Sequence, residues 1–353
     1  MNDLYLDDIK KTIKSSSATN AFKNKKIFIT GANGMIGSFL IDVLMYLNKN
    51  YDSNITIIAN TRSKSKLEKR FSGYLSNSHF QSYLGDINQA ITYDEQIDYI
   101  INCASNTHPL QYSTDPIGTI ITNIEGTKNV LDFATKNKAK KTIFLSSVEI
   151  YGENINNIDR FKENEMGYID CNSLRAGYNE SKRCGEALCQ AYIEKNDLDV
   201  SILRLPRCYG PSQKSDDTKA LSQFIHKALA NEDIILKSQG NQYFSYLYVA
   251  DAVSGILRCL IEGQKGEVYN LGNIKSDIQL KDLATMIAKI ANVKVIFDLP
   301  DQKEAKGFSK ATIARLDYSK AEKELDFKPQ YSIQDGVTRT LIILKEQSTS
   351  NNY

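Results

Sequence analysis

The stretch KKIFITGANGMIGSFLIDVLMYL (25–47) constrains the fold of this chain more than any other. Lys25–Thr30 reads as a short buried strand that runs into Gly31, Gly34 and Gly37, and then into an apolar pattern with helical spacing. A strand turning tightly into a helix gathers free backbone N–H groups and the positive end of the helix at one point. Glycines spaced this way permit the turn, let backbone approach a pyrophosphate and allow close helix–strand packing. The strand before and the helix after give the triplet its meaning, and predict a dinucleotide held by Gly31, Asn33, Gly34, Met35, Ile36 and Gly37.

Further apolar strand candidates recur at 55–59 (ITIIA), 80–84 (FQSYL), 98–103 (DYIINC), 141–147 (KTIFLSS) and 199–205 (DVSILRL). Helical patterns lie between them, notably at 117–137 and 178–196. Strands alternating with helices predict an α/β fold, a doubly wound parallel sheet with right-handed crossovers. At 353 residues the chain exceeds what one small core serves. Residues 1–22 read as a helical leader and 23–205 as the dinucleotide-binding domain. Residues 206–345 read as a smaller α/β substrate lobe returning a strand to the main sheet near 243–249, and 346–353 as a frayed tail.

Composition narrows the function. With 44 basic and 42 acidic residues, the net charge of +2 gives no footing for nucleic acid. No apolar run approaches the ~18–20 residues that cross a bilayer, and the polar opening is unlike a secretory signal. Six scattered cysteines without a CxxC pair, and three histidines without metal-ligand spacing, predict reduced thiols, no metal and a cytoplasmic protein.

The second strand ends in Ala59-Asn60-Thr61-Arg62-Ser63-Lys64, where a carboxylate would bind a ribose 2′-hydroxyl. Its absence and the nearby Arg62 leave both NAD and NADP open. Asp86 and Ile87, after the third strand, are candidate adenine contacts. Cys103, Ala104 and Ser105, ending the fourth, should run beneath the nicotinamide ribose, with Cys103 a packed thiol rather than a nucleophile.

Tyr178-Asn179-Glu180-Ser181-Lys182 sets a phenol and an amine four residues apart, on one helical face. An ammonium about 4 Å from the phenol could favour phenolate by up to ~4 kcal/mol, roughly three pKa units. Tyr178 would then serve as a base near neutrality, taking the proton of a sugar hydroxyl that Ser147 holds.

Taken together, TGANGMIG, SSVEIYG, YNESK and RCYGP make the chain resemble the extended short-chain dehydrogenase/reductase family, in its epimerase/dehydratase group acting on nucleotide sugars. The likeness spans about Lys25 to Val337. It implies a Rossmann domain, a C-terminal lobe for a nucleoside diphospho-sugar, and a homodimer packed through the helix of Tyr178. It makes Ser147, Tyr178 and Lys182 the catalytic trio, with Glu149 an auxiliary acid/base. The stretch HPLQYSTDPIGTIITNIEGTKNVL, with Glu149 and Arg175, is most similar to the UDP-glucuronate decarboxylase branch, and Thr107 and His108 fall beside the expected sugar. The implied work is precursor synthesis for bacterial-type surface polysaccharide, by oxidising carbon 4, altering carbon 5 of the ketone and returning the hydride.

Three departures from the family pattern matter. Val148 stands where many 4,6-dehydratases have Asp, which disfavours water loss at carbon 6. Arg207 stands where Asn is common, and Phe244 where Arg is common, so Arg207 is expected to supply a pyrophosphate-binding charge that Phe244 cannot. Arg315, in ATIARLDYSK, falls where the family often places a substrate-binding cation. Two rival readings stand beside the epimerase/dehydratase/decarboxylase one: a net NADP(H)-dependent reductase or dehydrogenase, and a non-catalytic NADP-sensing regulator.

Overall fold

The computed structural model describes residues 2–107, 114–173, 176–299 and 312–350. Strands β1 (Lys26–Thr30), β2 (Thr56–Thr61), β3 (Phe80–Leu84), β4 (Tyr99–Asn102), β5 (Lys141–Ser147) and β6 (Val200–Leu205) coincide with the sequence candidates. The chain then adds β7 (Arg207–Tyr209), β8 (Ile234–Leu236), β9 (Tyr243–Tyr248) and β10 (Val268–Asn270). The central sheet runs β3-β2-β1-β4-β5-β6-β10, and every pairing in it is parallel. Near-continuous burial of β1, β2, β5 and β6 is what a parallel sheet with helices on both faces requires. The order reverses between β1 and β4, so the crevice for a ligand opens at their carboxyl ends.

The two faces of the sheet bury different clusters. One packs Phe28 and Ile100 against Val130, Leu131 and Phe133, the Phe28 and Phe133 rings lying 5.0 Å apart. The other joins Ile27 and Ile29 to Phe39, Leu40 and Leu44 of the helix Met35–Tyr51, and runs on into the smaller lobe. Each large side chain so buried contributes about 1.5–3 kcal/mol.

Three sequence expectations need correction. The strand that returns to the main sheet is β10, which pairs with β6, whereas β9 belongs to a separate four-stranded sheet with β7, β11 (Asp277–Gln279) and β12 (Ile313–Ala314). The physical reason is the helix Val249–Glu262 directly after β9, which turns the chain back onto the large domain before β10 can pair. The opening helix, Asp3–Ser16, is no detached leader. It buries Ile9 and Ile13, and its fully buried Asp8 accepts from Tyr248 Oη at 2.6 Å and from Arg339 Nε at 2.7 Å. The tail does not fray at 346, because the helix Ile333–Ser350 extends to the last described residue.

Candidate active site

The glycine turn acts as the sequence implied. Gly31 has φ +64°, and a Cβ there would lie 2.9 Å from the backbone N and Cα of Ala104. A Cβ on Gly37 would lie 2.6 Å from the carbonyl oxygen of Gly31. The β1 and β4 ends are locked together at this point: Thr30 Oγ1 donates to Asn102 Oδ1 at 2.8 Å and accepts from Ala104 N–H at 3.0 Å. Asn33 Nδ2 donates to Thr61 Oγ1 at 2.9 Å, while the buried Asn33 Oδ1 has no partner among the described residues. A cradle too tight for side chains, at a helix N-terminus and beside an unpartnered amide oxygen, fits a dinucleotide.

That turn opens into a cleft of ≈ 1510 Å³. Gly31, Asn33, Gly34, Met35, Ile36, Gly37, Arg62, Asp86, Ile87, Cys103, Ala104 and Ser105 line its first half, so every expected cofactor contact borders it. Arg62 Nη1 stands 3.7 Å from Asp86 Oδ2, an exposed ion pair of little energetic weight. Lys66, which was not singled out in the sequence, lies beside them in the cleft wall.

Ser147, Glu149, Tyr178 and Lys182 all line the same cleft. Ser147 ends β5 and caps a short 3-10 turn, accepting from Glu149 N–H at 3.2 Å, which sets Glu149 facing the same space. Tyr178 and Lys182 lie on the buried face of the helix Ala176–Asn196. Burial pushes the Tyr178 phenol up to about 12, against the pull of hydrogen bonds from Ser147 and Ser105, and the nearby Glu149 carboxylate pushes it further up. Burial pushes the Lys182 amine down to about 8. Lys182 Nζ donates to the carbonyl oxygen of Leu145 at 2.8 Å and sits 5.0 Å from the Phe144 ring centroid. The expected acidified phenol is therefore corrected for the chain itself: desolvation dominates and holds the phenol above its ordinary value. Burial thus disfavours the charged form of each group, phenolate and ammonium alike.

A positioning network escaped the sequence reading. Ser105 Oγ donates to Asn123 Oδ1 at 2.8 Å, Asn123 Nδ2 to Ser181 Oγ at 2.9 Å, and Ser181 Oγ to the Tyr178 carbonyl at 2.9 Å. Asn123 interrupts an apolar helical pattern, and a buried polar residue there was the available signal. Below it, Arg204 grips Glu186 with Nε at 3.0 Å and Nη2 at 2.8 Å.

Thr107, Arg207 and Phe244 line the second half of the cleft. His108 and Arg175, also expected to touch the sugar, lie outside the described residues. Arg315 is not among the cleft-lining residues. It pairs with Asp159 and stacks 4.2 Å from the Tyr243 ring centroid, and Tyr243 faces the opposite side of β9 from Phe244. The sequence could not reveal this, because strand parity depends on where β9 begins.

Comparison with known proteins agrees with the geometry. The model of the NAD dependent epimerase/dehydratase family matches residues 27–272. UDP-glucuronic acid decarboxylase 3 of Arabidopsis thaliana is 29% identical over 320 residues, covering 89% of this chain and 87% of that protein. The structure of UDP-glucuronic acid 4-epimerase from Bacillus cereus, in complex with UDP-glucuronic acid and NAD, superposes with a TM-score of 0.77 at 25% identity, covering 91% of this chain and 99% of that one. A dTDP-glucose 4,6-dehydratase from Bacillus anthracis, in complex with NAD, superposes at 0.77 with 21% identity, covering 92% and 98%, and shows the shared fold.

Proposed function

The chain belongs to the NAD-dependent epimerase/dehydratase family, and from that premise we propose a redox-neutral enzyme that oxidises and re-reduces carbon 4 of a nucleoside diphospho-sugar, with decarboxylation at carbon 5 as its leading reaction. The observation that carries this reading is that Ser147, Glu149, Tyr178 and Lys182 line one cleft with the Gly31 turn.

NAD, when bound along Gly31–Gly37 and Cys103–Ser105, supplies a reversible hydride acceptor at carbon 4. Ser147 holds the carbon-4 hydroxyl. Tyr178 would take that proton as its phenolate, the form that a neighbouring Lys182 ammonium would stabilise against the burial that raises the phenol. A ketone at carbon 4 makes carbon 5 a stabilised carbanion centre. Breaking the bond from carbon 5 to a carboxyl group sends its electron pair into the carbon-4 oxygen and releases carbon dioxide. Glu149, two residues on from Ser147, would take up a proton from water and pass it to carbon 5 in place of the lost carboxyl group. Val148, packed and apolar, offers no acid for water loss at carbon 6.

Likeness to UDP-glucuronic acid decarboxylases supports decarboxylation. The likeness to a 4-epimerase that takes UDP-glucuronic acid, together with Phe244 in place of a cation, supports 4-epimerisation as the second reading. The product would supply the assembly of a bacterial-type surface polysaccharide in the cytoplasm. Exposed Ile117 and Ile121, on the helix packed beside that of Tyr178, support a homodimer through this pair of helices.

Mass spectrometry of the NAD-loaded protein incubated with a panel of nucleotide sugars tests the proposal. Loss of carbon dioxide identifies the leading reaction, and a stereochemical change without mass change identifies the second. Continuous change at the nicotinamide absorbance band would show net redox chemistry and overturn the redox-neutral cycle.

A further inference from the structure

Register explains an unusual cation in the cleft. Ser147 of β5 stands opposite Leu205 of β6, so the chain two residues beyond each brings Glu149 and Arg207 side by side. Arg207 Nη2 donates to Glu149 Oε1 at 3.0 Å. Arg207 also opens β7, opposite Tyr246 of β9, so Phe244 is its diagonal neighbour on the same face. The guanidinium carbon lies 3.6 Å from the Phe244 ring centroid. One edge of the guanidinium is thus held by Glu149 and one face by Phe244. Its buried Nη1 has no hydrogen-bond partner among the described residues. A charged donor left unpaired next to a ligand cleft is costly, and is satisfied most directly by an anionic ligand group.

We infer that Arg207 reads a carboxylate attached to carbon 5 of the sugar, making it the residue that selects nucleoside diphospho-uronic acids over neutral hexoses. The inference rests on the nucleotide-sugar reading given above. Its location argues for the sugar rather than the diphosphate: Arg207 is tied to Glu149, whose carboxylate is close enough to act on the Tyr178 phenol. Other cations, Lys214, Lys219 and Lys237, also line the cleft. A guanidinium fixed in plane by a ring and by one carboxylate presents paired donors to a second, planar carboxylate. This assigns the diphosphate to other residues, a change from the role that the sequence alone suggested for Arg207.

The experiment measures binding in a Tyr178→Phe background, which holds sugars without turnover, with NAD present throughout. Isothermal titration compares UDP-glucuronate, UDP-glucose and UDP, and the matching dTDP series. The parent should bind the uronate about 10- to 100-fold more tightly than the hexose, a spread matching loss of a charge-assisted hydrogen bond. Arg207→Met keeps the stem on Phe244 and should remove most of that preference while leaving affinity for the nucleoside diphosphate within about twofold. Arg207→Lys, which keeps the charge, should fall between. Equal weakening toward all three ligands would place Arg207 on the diphosphate and overturn the inference, as would an unchanged preference. Failure of every nucleotide sugar to bind the parent, with NAD held, would refute the nucleotide-sugar reading itself.

Discussion

Lys182 Nζ lies 2.8 Å from the carbonyl oxygen of Leu145, two residues before Ser147 on the same strand. The amine is thereby held inside the protein, under the Tyr178 helix and against the Phe144 ring, at 4% exposure. A cation so placed serves chemistry at the expense of the fold.

Lys182→Met should therefore stabilise the NAD-free protein while abolishing turnover. The amine titrates near 8 in the fold against an ordinary 10.5. Between those values the unfolded chain keeps a proton that the native one has given up, so this group's contribution to stability rises with pH across that window and its penalty is fully present below about 8. Urea unfolding at pH 7 should show a gain of about 1–3 kcal/mol, shrinking toward zero by pH ~10.5. A variant less stable than the parent at pH 7 would contradict the account.

Tyr178→Phe keeps the ring and its packing but removes the proton acceptor. Turnover should fall about 10²- to 10⁴-fold, with NAD content unchanged by absorbance. Residual activity within about tenfold of the parent would mean that another group takes the carbon-4 proton.

Glu149→Gln separates the two chemical stages. Oxidation at carbon 4 should survive, so absorbance at the reduced-nicotinamide band rises after addition of nucleotide sugar. Product release should fall about 10²-fold or more. If product forms at the parental rate, Glu149 carries no proton at carbon 5.

Gly31→Ala meets two obstacles at once, a left-handed backbone and the Ala104 backbone 2.9 Å from the new Cβ. The cost should be about 1–3 kcal/mol in stability, with NAD affinity reduced by about tenfold or more in equilibrium titration. Intact NAD affinity would show that the turn does not approach the dinucleotide.

The parts of this protein legible in its sequence are those with a strong local signature. The β1–glycine–helix unit could be read because burial pattern, turn chemistry and helix start agree within a dozen residues. The same holds for β5 ending in Ser147, and for Tyr178 and Lys182 at helical spacing. What escaped depends on distant pairing. Nothing local distinguishes Val268–Asn270, which joins the main sheet, from Tyr243–Tyr248, which does not. The opening helix looked peripheral because its anchors, Tyr248 and Arg339, lie more than 200 residues away. Arg315 is turned toward Asp159 and Tyr243 because one step of strand parity moves a side chain to the other face. The opposite shifts of Tyr178 and Lys182 turned on the depth of burial, which spacing does not report.

The strand β9 passes into the helix Val249–Glu262 without an intervening residue, Tyr248 serving as the end of one and the cap of the other. That helix packs on the helices Asp3–Ser16 and Met35–Tyr51 of the large domain. The wall carrying Phe244 is thus the prolongation of a rod embedded in the cofactor half. A pivoting of the smaller lobe as one body would have to break that packing, so a rearrangement of loops and side chains around the rim is the less costly way to open the cleft.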